Sequence, residues 1–186
     1  MTNYLMLIVS PAKALTKLQN KKTDFLTLYL IWLFSTAGLV LSGLISSAII
    51  TPEKSERLIL TLAIFPFLYV PVTYFSGYLF WIVAKGFKGV ASFTEMRILT
   101  VYSTLPFILQ FIISIPFITV GIIKNDAGII SHDNYLSHLI LWLLSFRILM
   151  VGIAKYNKFN WMITLITYFI AVSIVGGIAY VLHQLR

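Results

Sequence analysis

The chain contains no cysteine. That excludes a disulfide, a thiolate nucleophile and any cysteine-held metal centre. Charge is almost as scarce: Asp, Glu, Lys and Arg make up 11% of its 186 residues, where a soluble domain carries about 25%. The acids are fewest. Asp24, Glu53, Glu56, Glu95, Asp126 and Asp133 are the whole set, and each falls in a turn or at the end of an apolar run. No carboxylate sits in the middle of a run, where proton- and sodium-coupled carriers usually place one. There is also no H-E-x-x-H zinc motif, no G-x-S-x-G elbow and no glycine loop of the phosphate-cradling kind. The chain is therefore read as non-enzymatic, with no cofactor and no metal site.

What fills the sequence instead is hydrocarbon. Hydrophobic residues account for 59% and the mean hydropathy is +0.92, which places the chain among integral membrane proteins. The fold class expected is all-α, with five transmembrane helices preceded by a short N-terminal amphipathic interfacial helix. Residues 1–24 form the interfacial segment and 25–186 the membrane domain. The spans lie near 25–50, 58–84, 98–123, 135–153 and 159–182. The first and second are uncharged for 26 and 27 residues, enough to cross about 30 Å of hydrocarbon with some tilt.

The opening segment has Ser10 and Pro11 as a helix start. Beyond them Ala14, Leu15 and Leu18 share one face, and Lys13, Lys17 and Lys21 recur on the other. With Lys22 these lysines are expected to hold anionic headgroups while the apolar face lies in the interface. The apolar stretch before Ser10 is too short for a signal peptide. Further on, Gly38, Ser42 and Ser46 recur every four residues, as do Gly43 and Ser47, a spacing that lets helices approach closely. TPEKSER at 51–57 reads as a polar turn. Pro66 and Pro71 are expected to kink the second span.

The organising stretch is KGFKGVASFTEMRILTVYSTLP, 85–106. Its lysines and glycines break the run, and Ser92 with Glu95 forms an S-x-x-E capping box that starts the next helix. Arg97, Tyr102, Ser103, Pro106 and Gln110 follow as candidate polar or structural residues of the third span. KNDAGIISHDNYLSH at 124–138 holds His132, Asp133 and His138, read as solvated loop residues because their spacing fits no metal pattern. Arg147 interrupts the fourth span. It lies roughly 9 Å from the Ile153 end at 1.5 Å per residue, near enough to snorkel to the interface. A pairing with Glu95, expected on the same membrane face, is the specific role assigned to it. A short turn at 154–160 carries Lys155 and Lys158.

Basic residues divide unevenly between the two faces. Nine belong to the side of the N-terminal segment and the 85–97 and 155–158 turns, and four to the other, leaving Arg147 aside. The positive-inside rule puts the nine in the cytoplasm, with the C-terminus outside. Nucleic acid is not expected as a partner, since the charges follow loops and not one surface.

The run GFKGVASFTEMRILTVYSTLPFIL, at 86–109, resembles the central segment of the Yip family, the Ypt/Rab-interacting membrane proteins, in its prokaryotic branch. Glu95, Tyr102, Ser103 and Pro106 stand on the family's pattern. FRILMVGIAKYNKFNW at 146–161 is similar to the family's ending, through Gly152, Ala154 and Lys155, and SPAKAL at 10–15 to its opening. Where the family often has Gly-Gly, this chain has Lys85-Gly86. The resemblance implies five spans, a cytoplasmic N-terminus and no known enzymatic activity. Eukaryotic relatives bind lipid-anchored small GTPases and have a long soluble N-terminal region that this sequence lacks. Two functions follow as expectations. One is a multi-pass protein of a bacterial-type inner membrane that acts by binding partners, another membrane protein or its own copy, or by organising lipid. The alternative is a passive transporter, channel or lipid-translocating protein with a polar path along spans two and three.

Overall fold

The structure is a computed structural model that describes residues 2–19, 24–48, 52–124 and 134–184. These form eight helices: α1 (Thr2–Val9), α2 (Pro11–Gln19), α3 (Phe25–Ala48), α4 (Pro52–Gly86), α5 (Phe93–Thr104), α6 (Phe107–Lys124), α7 (Asn134–Asn157) and α8 (Trp161–Gln184). No strand occurs among the described residues. Four stretches are long and apolar enough to cross a membrane: Pro66–Gly86, Phe93–Pro116, Leu136–Asn157 and Trp161–Ile178.

Local chemistry explains most boundaries. Ser92 caps α5: its hydroxyl accepts from the Glu95 N–H, and the Glu95 carboxylate accepts from the Ser92 N–H at 2.8 Å. This is the expected capping box. Asn160 caps α8, its Oδ1 accepting from the Ile163 N–H at 2.9 Å. The 51–57 turn is not a turn from Pro52 onward: proline occupies the first position of α4, where its missing N–H is not needed. The backbone of α4 stays helical through Pro66 and Pro71. The third span is two helices. Leu105 and Pro106 form a turn between α5 and α6, because Pro106 cannot donate to the preceding turn. The 154–160 turn is shorter than expected, since α7 continues to Asn157.

In lipid, apolar tails compete equally for apolar side chains, so close fit drives helix association. Three glycines supply it. A Cβ on Gly38 would meet the Phe107 carbonyl, one on Gly77 the Arg97 backbone at 2.7 Å, and one on Gly152 the Leu99 side chain. They mark the α3–α6, α4–α5 and α5–α7 contacts. Of the expected small-residue repeats, the side chains of Ser42, Gly43, Ser46 and Ser47 lie outside the described residues. The core gathers Met96, Leu99 and Tyr102 of α5, Ile148 and Ile153 of α7, Leu28 and Trp32 of α3, and Leu7 and Leu15 from the N-terminal helices. α8 packs on α4 and α7 and is exposed from 172 to 178.

The apolar face of α2 meets protein, which corrects the expectation that this face lies in the interface. Ala14, Leu15 and Leu18, the face expected to meet acyl chains, are buried against the bundle, with α2 lying on α7. The physical reason is a competing acceptor surface. Lys155 of α7 donates to the Ala12 carbonyl at 2.6 Å and to the Thr16 hydroxyl, so polar bonds fix the helix where its apolar face already fits. Lys13 and Lys17 remain exposed; Lys21 and Lys22 lie outside the described residues. α1 joins the same assembly. Leu7 is fully buried, and the Tyr4 ring lies 6.0 Å from the Tyr102 ring.

Candidate functional site

The residues singled out from sequence gather around α5 and the ends of its neighbours. Glu95 is committed to the helix start, its Oε2 accepting from both the N–H and the hydroxyl of Ser92. Arg97, two residues on, lies with its guanidinium 4.4 Å from the centre of the Tyr74 ring. Such a contact contributes about 0.5–2 kcal/mol, more when water is excluded. Gly77 permits it by letting the α5 backbone approach α4.

Tyr102 is 1% exposed, Ser103 7% and Gln110 0%. Pro106 is buried too. The hydroxyls of α5 bond backward along their own helix: Thr100 to the Arg97 carbonyl, Ser103 to that of Thr100 and Thr104 to that of Val101, all at 2.7–2.8 Å. Back-bonding of this kind satisfies a polar side chain without a partner helix or water. These groups are thereby satisfied within α5 itself.

The bond seen for Arg147 among the described residues is not to Glu95. Its guanidinium donates instead to the Val9 carbonyl at 3.5 Å. Val9 ends α1, and the last carbonyls of a helix lack partners and carry partial negative charge. The arginine serves them from another helix. With Lys155 on Ala12 and Thr16, α7 thus holds α1 and α2 by two cations. The role of Lys155 was hidden in the sequence, because its acceptors lie more than a hundred positions away.

Asn157 was also missed. Its Oδ1 accepts from the Ala91 N–H at 3.2 Å, while its Nδ2 donates to the Ile153 carbonyl at 3.1 Å and reaches the Met96 sulfur at 3.6 Å. One buried amide joins the α4–α5 loop, α5 and the end of α7. His138 sits in an aromatic cluster with Phe107 and Trp142, at 6.2 and 6.3 Å between ring centres. His132 and Asp133 lie outside the described residues. Among those described, no three His, Asp or Glu side chains converge.

A cavity of about 360 Å³ opens between α1, α3 and the α5–α6 junction. Its lining, including Leu5, Leu30, Phe34, Leu109 and Ile112, is nearly all apolar, with Tyr4 and Thr27 the residues that bring hydroxyls.

The α5 segment and the α7 ending form one connected unit, joined through Asn157. The Yip1 domain matches residues 5–183. The chain belongs to the Yip1 domain family. The match takes in α1, so the N-terminal helices are part of the Yip1 domain as it occurs here. No curated protein and no solved structure shows significant similarity to the chain.

Proposed function

We propose that this Yip1-domain protein is a non-catalytic membrane organiser that acts by binding another membrane protein, a second copy of itself or lipid. The observation that carries the reading is the closure of its polar residues. Tyr102, Ser103 and Gln110, the groups a polar path along spans two and three would need, are at most 7% exposed. The cavity beside them is apolar. An uncoupled pore requires a line of hydrogen-bonding groups open to water, and the described interior offers a packed one.

The topology proposed is five spans. α3, at 24 residues, is about 36 Å long at 1.5 Å per residue, which adds a fifth crossing to the four apolar stretches. The α5–α6 pair makes one broken crossing. The end carrying the α4–α5 and α7–α8 loops faces the cytoplasm of a bacterial-type inner membrane, on the distribution of lysine and arginine. Fusion reporters at each loop test the topology.

Reconstitution tests the function. Vesicles carrying the protein, loaded with an ion-flux dye or a fluorescent lipid, are expected to behave as empty vesicles do. Tyr102→Phe and Gln110→Leu are expected to leave that baseline unchanged. Flux or lipid translocation that these substitutions abolish establishes the transport reading in place of the organiser.

A further inference from the structure

Two loops at the same end of the bundle repeat one another. Ala84-Lys85-Gly86-Phe87-Lys88-Gly89 closes α4, and Ala154-Lys155-Tyr156-Asn157-Lys158-Phe159 closes α7. In each, the N–H five residues after the alanine returns to the alanine carbonyl, at 2.8 Å in both loops. In each, the second lysine N–H returns to the carbonyl of the first, at 2.9 and 3.4 Å. This is the Schellman ending of a helix, which asks for a left-handed residue at the position after the cap. Lys88 takes it with φ 62 and Lys158 with φ 57.

Glycine is the residue that position favours, since it has no Cβ to crowd the following carbonyl. Among the described residues no glycine has a positive φ, and these two lysines are the non-glycine residues that do. Gly86 and Gly89 flank Lys88 closely, yet neither stands in the left-handed place. Both loops thus carry a lysine where the backbone favours glycine.

The fold does not need that cation. Its neighbours already serve the helix ends. Lys85 donates to the Gly89 carbonyl at 3.0 Å, and Lys155 holds Ala12 and Thr16. Lys88 and Lys158 are exposed and bond no acid among the described residues. They also converge. Gly89 lies against the Asn157 side chain, so each lysine is the chain neighbour of a residue at the junction of the two loops. Two like charges brought to one junction repel unless an anion lies between them. The loops leave apolar helices there, and Trp161, 55% exposed just beyond Lys158, stands where aromatic residues mark the headgroup level.

We propose that Lys88 and Lys158 together form a binding site for the phosphate of an anionic phospholipid. Both lysines stand exposed on loops that touch, and the bilayer supplies the anion. The site rests only on the chain being membrane-embedded, not on its role as an organiser.

The test uses the full chain in neutral detergent. Phosphatidylglycerol is expected to raise the thermal unfolding midpoint, phosphatidylcholine not to, and native mass spectrometry to show retained phosphatidylglycerol. Lys88→Gly/Lys158→Gly is safe for folding because glycine suits both backbones. It is expected to keep or raise the lipid-free midpoint while weakening phosphatidylglycerol retention about thirty-fold, the increment two basic residues carry at an anionic surface. Lys88→Asn/Lys158→Asn, also tolerant of this conformation, is expected to match it. Lys13→Gln/Lys17→Gln is expected to retain lipid as the parent does. Undiminished retention by the glycine variant overturns the site. So does an equal loss of phosphatidylcholine and phosphatidylglycerol, and an equal midpoint shift from inorganic phosphate alone overturns the lipid as the ligand.

Discussion

Gly89 and Asn157 touch across two loops with no room for a side chain between them. A Cβ on Gly89 would run into the Asn157 Oδ1 on one side and stand 2.8 Å from the Ala84 carbonyl on the other. Neither neighbour can withdraw. The amide is held by Ala91 and Ile153, and the carbonyl accepts the Schellman bond from Gly89 itself. Gly89→Ala is expected to destabilise the protein by about 1–3 kcal/mol, the usual cost of overpacking, read as a lower thermal midpoint in detergent. Asn157→Ala is expected to cost about 1–3 kcal/mol by stranding the Ala91 N–H. The double variant is expected to lose less than the two together, because each change relieves the other's conflict.

Replacing Ser92 by alanine removes the acceptor of the Glu95 N–H and one of the donors to its carboxylate. A loss of about 0.5–2 kcal/mol is expected, with the hydrogen exchange of the first turn of α5 accelerated before that of α7. Exchange rising uniformly across the bundle contradicts a local cap.

The N-terminal helices give a third test. Leu15→Glu places a charge on a fully buried side chain, and Lys155→Met removes the donor to Ala12 and Thr16. Both are expected to free α1 and α2 from α7, seen as new proteolysis within the first twenty or so positions. Lys13→Gln and Lys17→Gln, on the exposed side, are expected to leave the pattern unchanged.

Ser114 is 2% exposed, and its hydroxyl finds no hydrogen-bond partner among the described residues. A buried polar group without a partner costs about 1–3 kcal/mol. Ser114→Ala is therefore expected to raise the unfolding midpoint. A fall shows that the hydroxyl is bonded after all.

The helices were readable because their signals are local. The capping box at Ser92 and Glu95 names its own geometry, and the uncharged runs show where apolar helices lie. Pro106 was visible as an obstacle, although the sequence does not say whether a helix bends or stops at a proline; here the run stops and restarts. The destinations of long cationic side chains were not readable. Arg147 was expected at Glu95 on a shared membrane face, yet its partner is the Val9 carbonyl, a backbone group without a sequence signature. Amphipathicity misled in the same way. The stripe at Ala14, Leu15 and Leu18 correctly announces burial, but a hydrophobic stripe fits a lipid surface or a protein surface equally well, and α7 took it. The paired alanine-lysine loop endings were in plain view as a repeated string. Their meaning depends on the backbone angle at Lys88 and Lys158, which composition cannot disclose.

The seat of α1 and α2 on α7 also sets an order of events during synthesis. The segment made before α3 has its landing place on Arg147 and Lys155, which follow it by more than a hundred positions. It must wait, with Leu7 and Leu15 uncovered, while α3 to α6 are made. The synthesis of α7 is therefore the step that first gives both helices the surface they fold onto.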